Sequence, residues 1–401
     1  MFKSALPGFR DFYPQELAER AFIMSTWRDV ARRYAFVEYD GPPLEPLELY
    51  TRKSGEEIVG QLYNFVDKGG REVALRPEMT PTVARMVAAR ANALRKPVRW
   101  FSMPQLFRYE RQQKGRLREH YQLNVDIFGS ADVAADAELV ACAVDMMRAF
   151  GLTSADVVAR VSNRRILQAF LESLGVPSGS IEGVYGVVDK LERQPAQVSS
   201  EKLAALGVPS ESIERIVTIA DVQLSEIESR LSSTPAAAHV SEFAAYLRYV
   251  ETLLGGDASW LRLDLSIVRG LAYYTGIVFE LFDRSGEFRA ICGGGRYDTL
   301  LQSLGGADMP ALGFGMGDVV LGELLRGKGL MAASPATADY WVAGDDEVPL
   351  ERIMREAASL RASGHSVEYA LRPQSLSKQK KAAQASGART FVTLSNDGTN
   401  G

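Results

Sequence analysis

Residues 107–122 read FRYERQQKGRLREHYQ and hold four arginines, one lysine and two glutamates in sixteen positions. The polar stretch 111–119 joins two segments rich in β-forming residues, 98–110 and 120–129, and has a glycine near its tip. This pattern predicts a long β-hairpin with a charged loop. Two interpretations of the loop stay open: a solvated charge run, or guanidinium groups that bind phosphate oxygens bidentately.

The second segment of this hairpin alternates polar and apolar residues. Gln122, Asn124 and Asp126 are separated by leucine, valine and isoleucine. Because side chains on a strand alternate between its two faces, the three polar groups share one face. The sequence therefore predicts a sheet with a polar surface on one side and a core on the other.

The composition excludes several classes of protein. The chain has 401 residues, of which 46% are hydrophobic and 24% charged, so we expect two or three globular domains. The formal net charge is −4, which argues against a dedicated nucleic-acid coat but leaves a local basic site open. Cys142 and Cys292 form no CxxC pair and no disulfide framework, which is typical of a reducing cytoplasm. We expect no signal peptide, no membrane span and no metal site built from protein ligands.

The order of elements predicts an α+β fold in two parts. Residues 1–325 mix helices and strands, and the short helices of about 163–235 indicate a helical insertion. A linker is expected at 326–338. Residues 339–401 alternate strand and helix as β-α-β-α-β, which predicts a small α/β domain that ends without a closing helix.

Three further clusters each have a structural and a functional interpretation. LRPEMT (75–80) could form a surface ion pair or hold an ammonium group with Glu78. VRGLAYYTG (268–276) predicts two tyrosines on opposite faces of a strand, one of which could line a pocket. CGGGRYD (292–298) could be a tight turn or a place where the backbone approaches a ligand closely.

These clusters are more specific together than apart. In this order and with these separations they resemble histidyl-tRNA synthetase, a class II aminoacyl-tRNA synthetase, over essentially the whole chain. FRYERQQKGR looks like motif 2 of that class, and Pro42 lies where motif 1 has its proline. The resemblance implies a class II antiparallel sheet with flanking helices and a helical insertion, followed by a domain like the anticodon-binding domain.

The resemblance also implies roles for individual residues toward ATP. Arg108 would hold the α-phosphate, and Glu110 would lie at the adenine side. Arg116 would reach the outer phosphates from the loop. Arg269 would bridge the histidine carboxylate and the α-phosphate, so that Arg108 and Arg269 are the expected catalytic residues.

A second set of residues is expected to bind histidine. Glu78 and Thr80 would bind the α-amino group, and Gln122 and Asp126 would line the same pocket. Tyr273 and Tyr274 would flank the imidazole ring. The implied substrates are L-histidine, ATP with Mg²⁺, and tRNA(His), and the implied assembly is a homodimer.

Two departures keep an alternative open. Motif 3 of the family ends in an arginine where this chain has Val320, within GFGMGDVVL. A regulatory subunit of ATP phosphoribosyltransferase, which shares the catalytic core but does not charge tRNA, would tolerate that loss. Otherwise Lys114, Arg116 or Arg118 would supply the charge, or activity would be weaker.

The early end of the last domain also favours the regulatory relative. The intact motif 2 and the basic segment of the last domain favour the synthetase, because that segment could contact tRNA phosphates, although a solvated helix face explains it equally well. Its cationic residues are Arg372, Lys378, Lys380, Lys381 and Arg389.

Overall fold

The computed structural model of the protein describes residues 4–51, 60–110, 117–268, 273–331 and 338–395. The chain divides into two compact units, residues 1–331 and 332–401. Among the described residues, no helix is both long and apolar enough to cross a bilayer.

The first unit is organised by a large, mainly antiparallel sheet, as the hairpin predicts. Its strands follow the order β1-β5-β7-β12-β11-β10-β8-β9, and β6 also pairs with β7. A smaller sheet has the order β2-β4-β3. The strands are β1 (Val37–Glu38), β2 (Leu44–Pro46), β3 (Tyr63–Val66), β4 (Glu72–Leu75), β5 (Val98–Ser102), β6 (Gln105–Phe107), β7 (Glu119–Phe128), β8 (Val157–Asn163), β9 (Leu261–Leu263), β10 (Ile277–Asp283), β11 (Cys292–Arg296) and β12 (Ala311–Gly317).

Helices flank this sheet and form the insertion. Local capping explains where some of them begin: Pro14 opens the first helix, and the Asp132 side chain accepts a hydrogen bond from Ala134 N (2.8 Å) ahead of the fourth. The helices are α1 (Pro14–Arg33), α2 (Leu47–Thr51), α3 (Thr80–Ala89), α4 (Val133–Ala149), α5 (Arg164–Ser173), α6 (Ile181–Val188), α7 (Ala196–Ala205), α8 (Ser210–Val217), α9 (Leu224–Leu231), α10 (Ala237–Leu253), α11 (Leu300–Ser303) and α12 (Asp318–Gly327).

The alternation along β7 decides which face of the sheet is the core. Leu123, Val125 and Ile127 are fully buried, and they belong to the main core cluster together with side chains of α1 and α4. The opposite face therefore carries the polar residues of β7. Burial of this apolar face is worth about 25 cal/mol per Å² removed from water, so the pattern fixes the pairing register of β7.

The second unit is a three-stranded parallel sheet with the order β14-β13-β15. Helix α13 packs against β13 and β14, and α14 packs against β13. The basic residues named above are exposed, whereas Gln379 is buried and its Nε2 donates to Gly344 O (2.8 Å). The elements are β13 (Tyr340–Gly344), α13 (Leu350–Ala362), β14 (Val367–Tyr369), α14 (Leu376–Ser386) and β15 (Thr390–Leu394).

Two local predictions from the sequence are wrong. Arg108 does not lie on a strand, because β6 ends at Phe107. Tyr273 and Tyr274 do not lie on opposite faces of a strand, because β10 begins only at Ile277 and both side chains join one buried cluster.

Candidate active site

A cavity of about 380 Å³ lies on the polar face of the large sheet. Its floor is nearly bare backbone, because glycines of β11 and β12 point into it beside Gln122 and Asn124 of β7. The floor glycines are Gly293, Gly313, Gly315 and Gly317. A side chain at these positions would fill the cavity.

Two of these glycines, Gly313 and Gly315, are required by close packing as well as by space. A Cβ atom at residue 315 would lie 2.8 Å from the side-chain Cδ of Gln122. One at residue 313 would overlap the carboxylate of Asp126. The floor can therefore bring a flat ligand close to the polar side chains of β7.

The cavity carries two residues of motif 2. Arg108 and Glu110 both line the cavity and are half-buried. Arg108 is oriented by Pro77, whose carbonyl oxygen accepts a hydrogen bond from Arg108 Nε (2.9 Å). Arg118 instead stacks over the ring of Tyr109 at 4.1 Å. Two further residues predicted to contact ATP, Arg116 and Arg269, lie outside the described part of the chain.

The same cavity carries the residues predicted to bind an amino group. Glu78 is buried, and its Oε2 accepts a hydrogen bond from the hydroxyl of Tyr273 (3.1 Å). Thr80 begins α3 and lines the same wall. The structure brings these residues together with Gln122, which lines the cavity from β7.

Asp126 lies beneath the floor, where it is paired with a residue that the sequence did not single out. The hydroxyl of Tyr297 donates to Asp126 Oδ1, and Asp126 Oδ2 has no hydrogen-bond partner among the described residues. Burial raises the pKa of Asp126 to about 7, although the hydrogen bond from Tyr297 lowers it. Asp126 therefore changes protonation state near neutral pH.

Three tyrosine rings, one of them that of Tyr297, form one wall of the cavity. The rings of Tyr273 and Tyr274 lie 5.1 Å apart, and they lie 5.8 and 6.5 Å from the ring of Tyr297. Tyr273 and Tyr274 both line the cavity, as does Tyr297. Such a wall suits the edge and face contacts of an aromatic ligand.

Two arginines of the motifs serve the fold. Arg76 is 5% exposed, and its Nη1 binds Asp40 Oδ1 (2.9 Å), so it is not the surface ion pair considered from the sequence. Arg296 is 6% exposed and binds both carboxylate oxygens of Asp136 on α4. Each anchors the backbone from which its motif reaches the cavity.

The motif 3 region supplies no cation from the first turn of α12. Val319 and Val320 line the cavity. Asp318 is buried, and its Oδ2 accepts from Arg10 Nη1 (2.9 Å). Burial, followed by the charge of Arg108, lowers the pKa of the nearby His120 to about 3, so its ring is neutral at pH 7.

Two cations that the sequence did not single out also line the cavity. Arg193 comes from the helical insertion, and Arg289 from the chain ahead of β11. Both are exposed. Arg289 belongs to a segment, FRAICGGGRYD, in which only the glycines and the later arginine drew attention.

The antiparallel sheet and its polar cavity define the core of a class II aminoacyl-tRNA synthetase. The model of the family described as histidyl-tRNA synthetase matches residues 8–317. The chain belongs to that family, whose members are ligases that use ATP.

Individual relatives agree with this family. The chain is 45% identical over 398 residues to the histidine–tRNA ligase of Opitutus terrae, which covers 98% of this chain and 91% of that protein. The crystal structure of histidyl-tRNA synthetase from Nostoc sp. PCC 7120 matches with a TM-score of 0.85 at 25% identity, over 98% of this chain and 92% of that one.

A third match bears on the alternative function. An ATP phosphoribosyltransferase regulatory subunit/histidyl-tRNA synthetase from Bacillus halodurans C matches with a TM-score of 0.79 at 21% identity, over 98% of each chain. At that identity the likeness concerns the fold alone. The ligase interpretation is therefore the better supported one.

Proposed function

We propose that the cavity joins L-histidine to ATP, forming histidyl-adenylate and releasing pyrophosphate, and then passes histidine to the 3′ end of tRNA(His). The observation that carries this proposal is that one cavity brings the two predicted sets of residues together. Arg108 and Glu110 line it together with Glu78, Tyr273 and Tyr297, and Tyr297 donates to Asp126 beneath the floor.

The residues proposed to bind histidine suit both its α-ammonium group and its imidazole ring. Glu78 would bind the α-ammonium group, with Thr80 and Gln122 beside it. Asp126 Oδ2 would accept a hydrogen bond from an imidazole nitrogen, and Tyr273 and Tyr274 would pack on the ring. A site that hydrogen-bonds a ring nitrogen rejects analogues without it by about 10⁴–10⁵, so this arrangement accounts for specificity.

The residues proposed to bind ATP suit phosphate groups that gain negative charge during the reaction. The carboxylate oxygen of histidine would attack the α-phosphorus, and the bond to pyrophosphate would break. Arg108 would stabilise the α-phosphate oxygens, and Arg269 would bridge the histidine carboxylate and the α-phosphate. Arg116 would bind the outer phosphates, and Glu110 would lie at the adenine. Preorganised donors of this kind are typically worth ~10²–10³ in rate each, and holding both substrates in line adds a proximity effect.

The second step is a transfer from the adenylate to RNA. A ribose hydroxyl at the tRNA end would attack the histidyl carbonyl, and AMP would leave. The exposed cations of α14 and its neighbours, described above, suit phosphate contacts along the tRNA.

Mg²⁺ would arrive with ATP. This ion is usually held by substrate phosphates, several waters and one or two carboxylates. Glu280 lines the cavity and would provide a carboxylate of that kind. When bound, the ion would neutralise phosphate charge.

A homodimer and a cytoplasmic location complete the proposal. Large apolar side chains are exposed on β1 of the large sheet and on β2 and β3 of the smaller sheet, and these strands would contribute to the dimer surface. The side chains are Val37 (62% exposed), Leu44 (37%), Phe65 (51%) and Val66 (63%). Cys142 and Cys292 are buried free thiols, which suits a reducing compartment.

The test is histidine-dependent exchange between ATP and pyrophosphate, with every other standard amino acid as a control. Exchange with histidine alone supports the proposal. Arg108→Ala should abolish it, while Arg71→Ala, in the exposed turn between β3 and β4, should leave it unchanged. Histidine binding without exchange in the unaltered protein would favour the regulatory relative.

A further inference from the structure

The cavity has an unusual feature at the place where motif 3 would supply a cation. Val320 lines the cavity there. Its helical neighbour Asp318 is already bound to Arg10 and to the backbone N–H of Tyr121 (2.9 Å). A polyphosphate lying over the start of α12 would therefore meet no cationic side chain from that turn.

The chain ahead of β11 passes beside this turn. Strand β11 pairs antiparallel with β12, and Cys292 lies opposite Met316. One residue further out, Gly317 N donates to Ile291 O at 3.4 Å. Beyond this contact β12 gives way to α12 at Asp318, and residues 289–291 lie outside any strand. Arg289 lies two residues before Ile291 and Val320 three residues after Gly317, and both line the cavity.

The chemistry of Arg289 fits an anion at this point. Its side chain is exposed and lines the cavity, so a ligand can reach the guanidinium group without a rearrangement of the core. The floor beside it is the backbone of Gly293, Gly315 and Gly317, which leaves room for phosphate groups. A guanidinium group offers a fork of donors that matches two phosphate oxygens.

Other cations of the described chain are placed less well. Arg108, in motif 2, is oriented by Pro77. Arg118 is stacked on Tyr109, and its Nε lies 3.4 Å from Glu110 O. Arg193 also lines the cavity, but it reaches it from the helical insertion rather than from the strand next to α12.

We propose that Arg289 binds the outer phosphates of ATP and supplies the charge that motif 3 lacks at Val320. This inference rests on the proposed function, since it requires ATP in the cavity. Arg289 would hold the pyrophosphate portion while the α-phosphorus is attacked, and the negative charge on that leaving group would strengthen the contact.

The first test compares Arg289→Ala with the unaltered protein in histidine-dependent ATP–pyrophosphate exchange. A hydrogen bond to a charged group is worth about 10- to 100-fold, so kcat/KM for ATP should fall by that factor. The KM for histidine should change less than about twofold, and calorimetric binding of histidine alone should be unaltered. Arg262→Ala, an exposed arginine on β9 outside the cavity lining, is the matched control.

The second test is rescue. In the Arg289→Ala background, Val320→Arg should restore about 10-fold or more of the lost kcat/KM, because it returns a guanidinium group to the cavity lining. Arg289→Lys should retain part of the activity, since it keeps the charge but not the fork.

The outcomes separate the two proposals. Exchange in the unaltered protein together with unchanged ATP kinetics in Arg289→Ala would overturn the role of Arg289 and leave the proposed function intact. An equal loss for ATP and histidine, without rescue by Val320→Arg, would also overturn it. Absence of exchange in the unaltered, folded protein would overturn the proposed function and this inference together.

Discussion

Replacement of Tyr297 by phenylalanine tests the proposed histidine pocket most directly. The change removes one hydroxyl and keeps the ring that packs against Tyr273 and Tyr274. Asp126 Oδ1 then loses the hydrogen bond that the structure gives it. Because Tyr297 is 2% exposed and Asp126 3% exposed, bulk water has little access to the carboxylate.

The size of the effect follows from this burial. A buried acceptor without its donor costs ~1–3 kcal/mol, and more if it is charged. The penalty is divided between stability and ligand binding, so ~150-fold is the upper limit for the rise in KM for histidine and about 10-fold is expected. The lost hydrogen bond also raises the pKa of Asp126 further above about 7, so tight histidine binding should require a higher pH.

The assay is pyrophosphate exchange with histidine varied and ATP saturating, repeated from pH 6 to pH 9. Tyr246→Phe is the matched control, since Tyr246 is also fully buried but its hydroxyl has no partner among the described residues. A rise in the KM for ATP instead of histidine, or identical kinetics in both variants, would refute the role of the Asp126–Tyr297 pair.

Three further variants test the support of the site. Arg296→Ala leaves the buried carboxylate of Asp136 without its partner, so the free energy of unfolding in urea should fall by ~3–5 kcal/mol. Gly294→Ala places a Cβ against Gly313 O between β11 and β12, and should lower the free energy of unfolding by ~1–3 kcal/mol in the same assay. Asp126→Asn should flatten the pH dependence of stability. The pKa of Asp126 is about 7 when folded and ~3.9 when unfolded, so the folded state binds more protons and the free energy of unfolding falls as pH rises from about 4 to 7. The free energy of unfolding of both proteins is measured by urea titration at pH 5 and at pH 7. An equal change between the two pH values for both proteins would contradict this.

The sequence predicted the sheet well where burial decided the pattern. The alternation along β7 needs only one apolar face and one polar face, and the structure confirms it. It could not predict that β6 ends before Arg108, because the end of a strand depends on where its partner stops. It also placed the two adjacent tyrosines on a strand that begins only at Ile277.

The candidate site was predicted only in part, because some of its contacts depend on how distant strands pair. Glu78 and Gln122 sit in motifs and were found, and both line the cavity. The contact of Tyr297 with Asp126 spans 171 residues, so it depends on the registers that join β7, β12 and β11. A tyrosine directly after the glycine run and Arg296 was the available signal. The roles of individual residues toward the substrates stay predictions.

The Asp126–Tyr297 contact gives the amino acid a use outside catalysis. Asp126 lies on β7, and Tyr297 directly follows β11, so the acceptor that we propose for the histidine ring is assembled only after two distant strands have each paired with β12. A chain with a slipped register would have no such acceptor. Histidine at a hundred times its Kd would add about 2.7 kcal/mol to the correctly paired state alone. During synthesis, the free amino acid would thus favour correctly assembled molecules over misfolded ones.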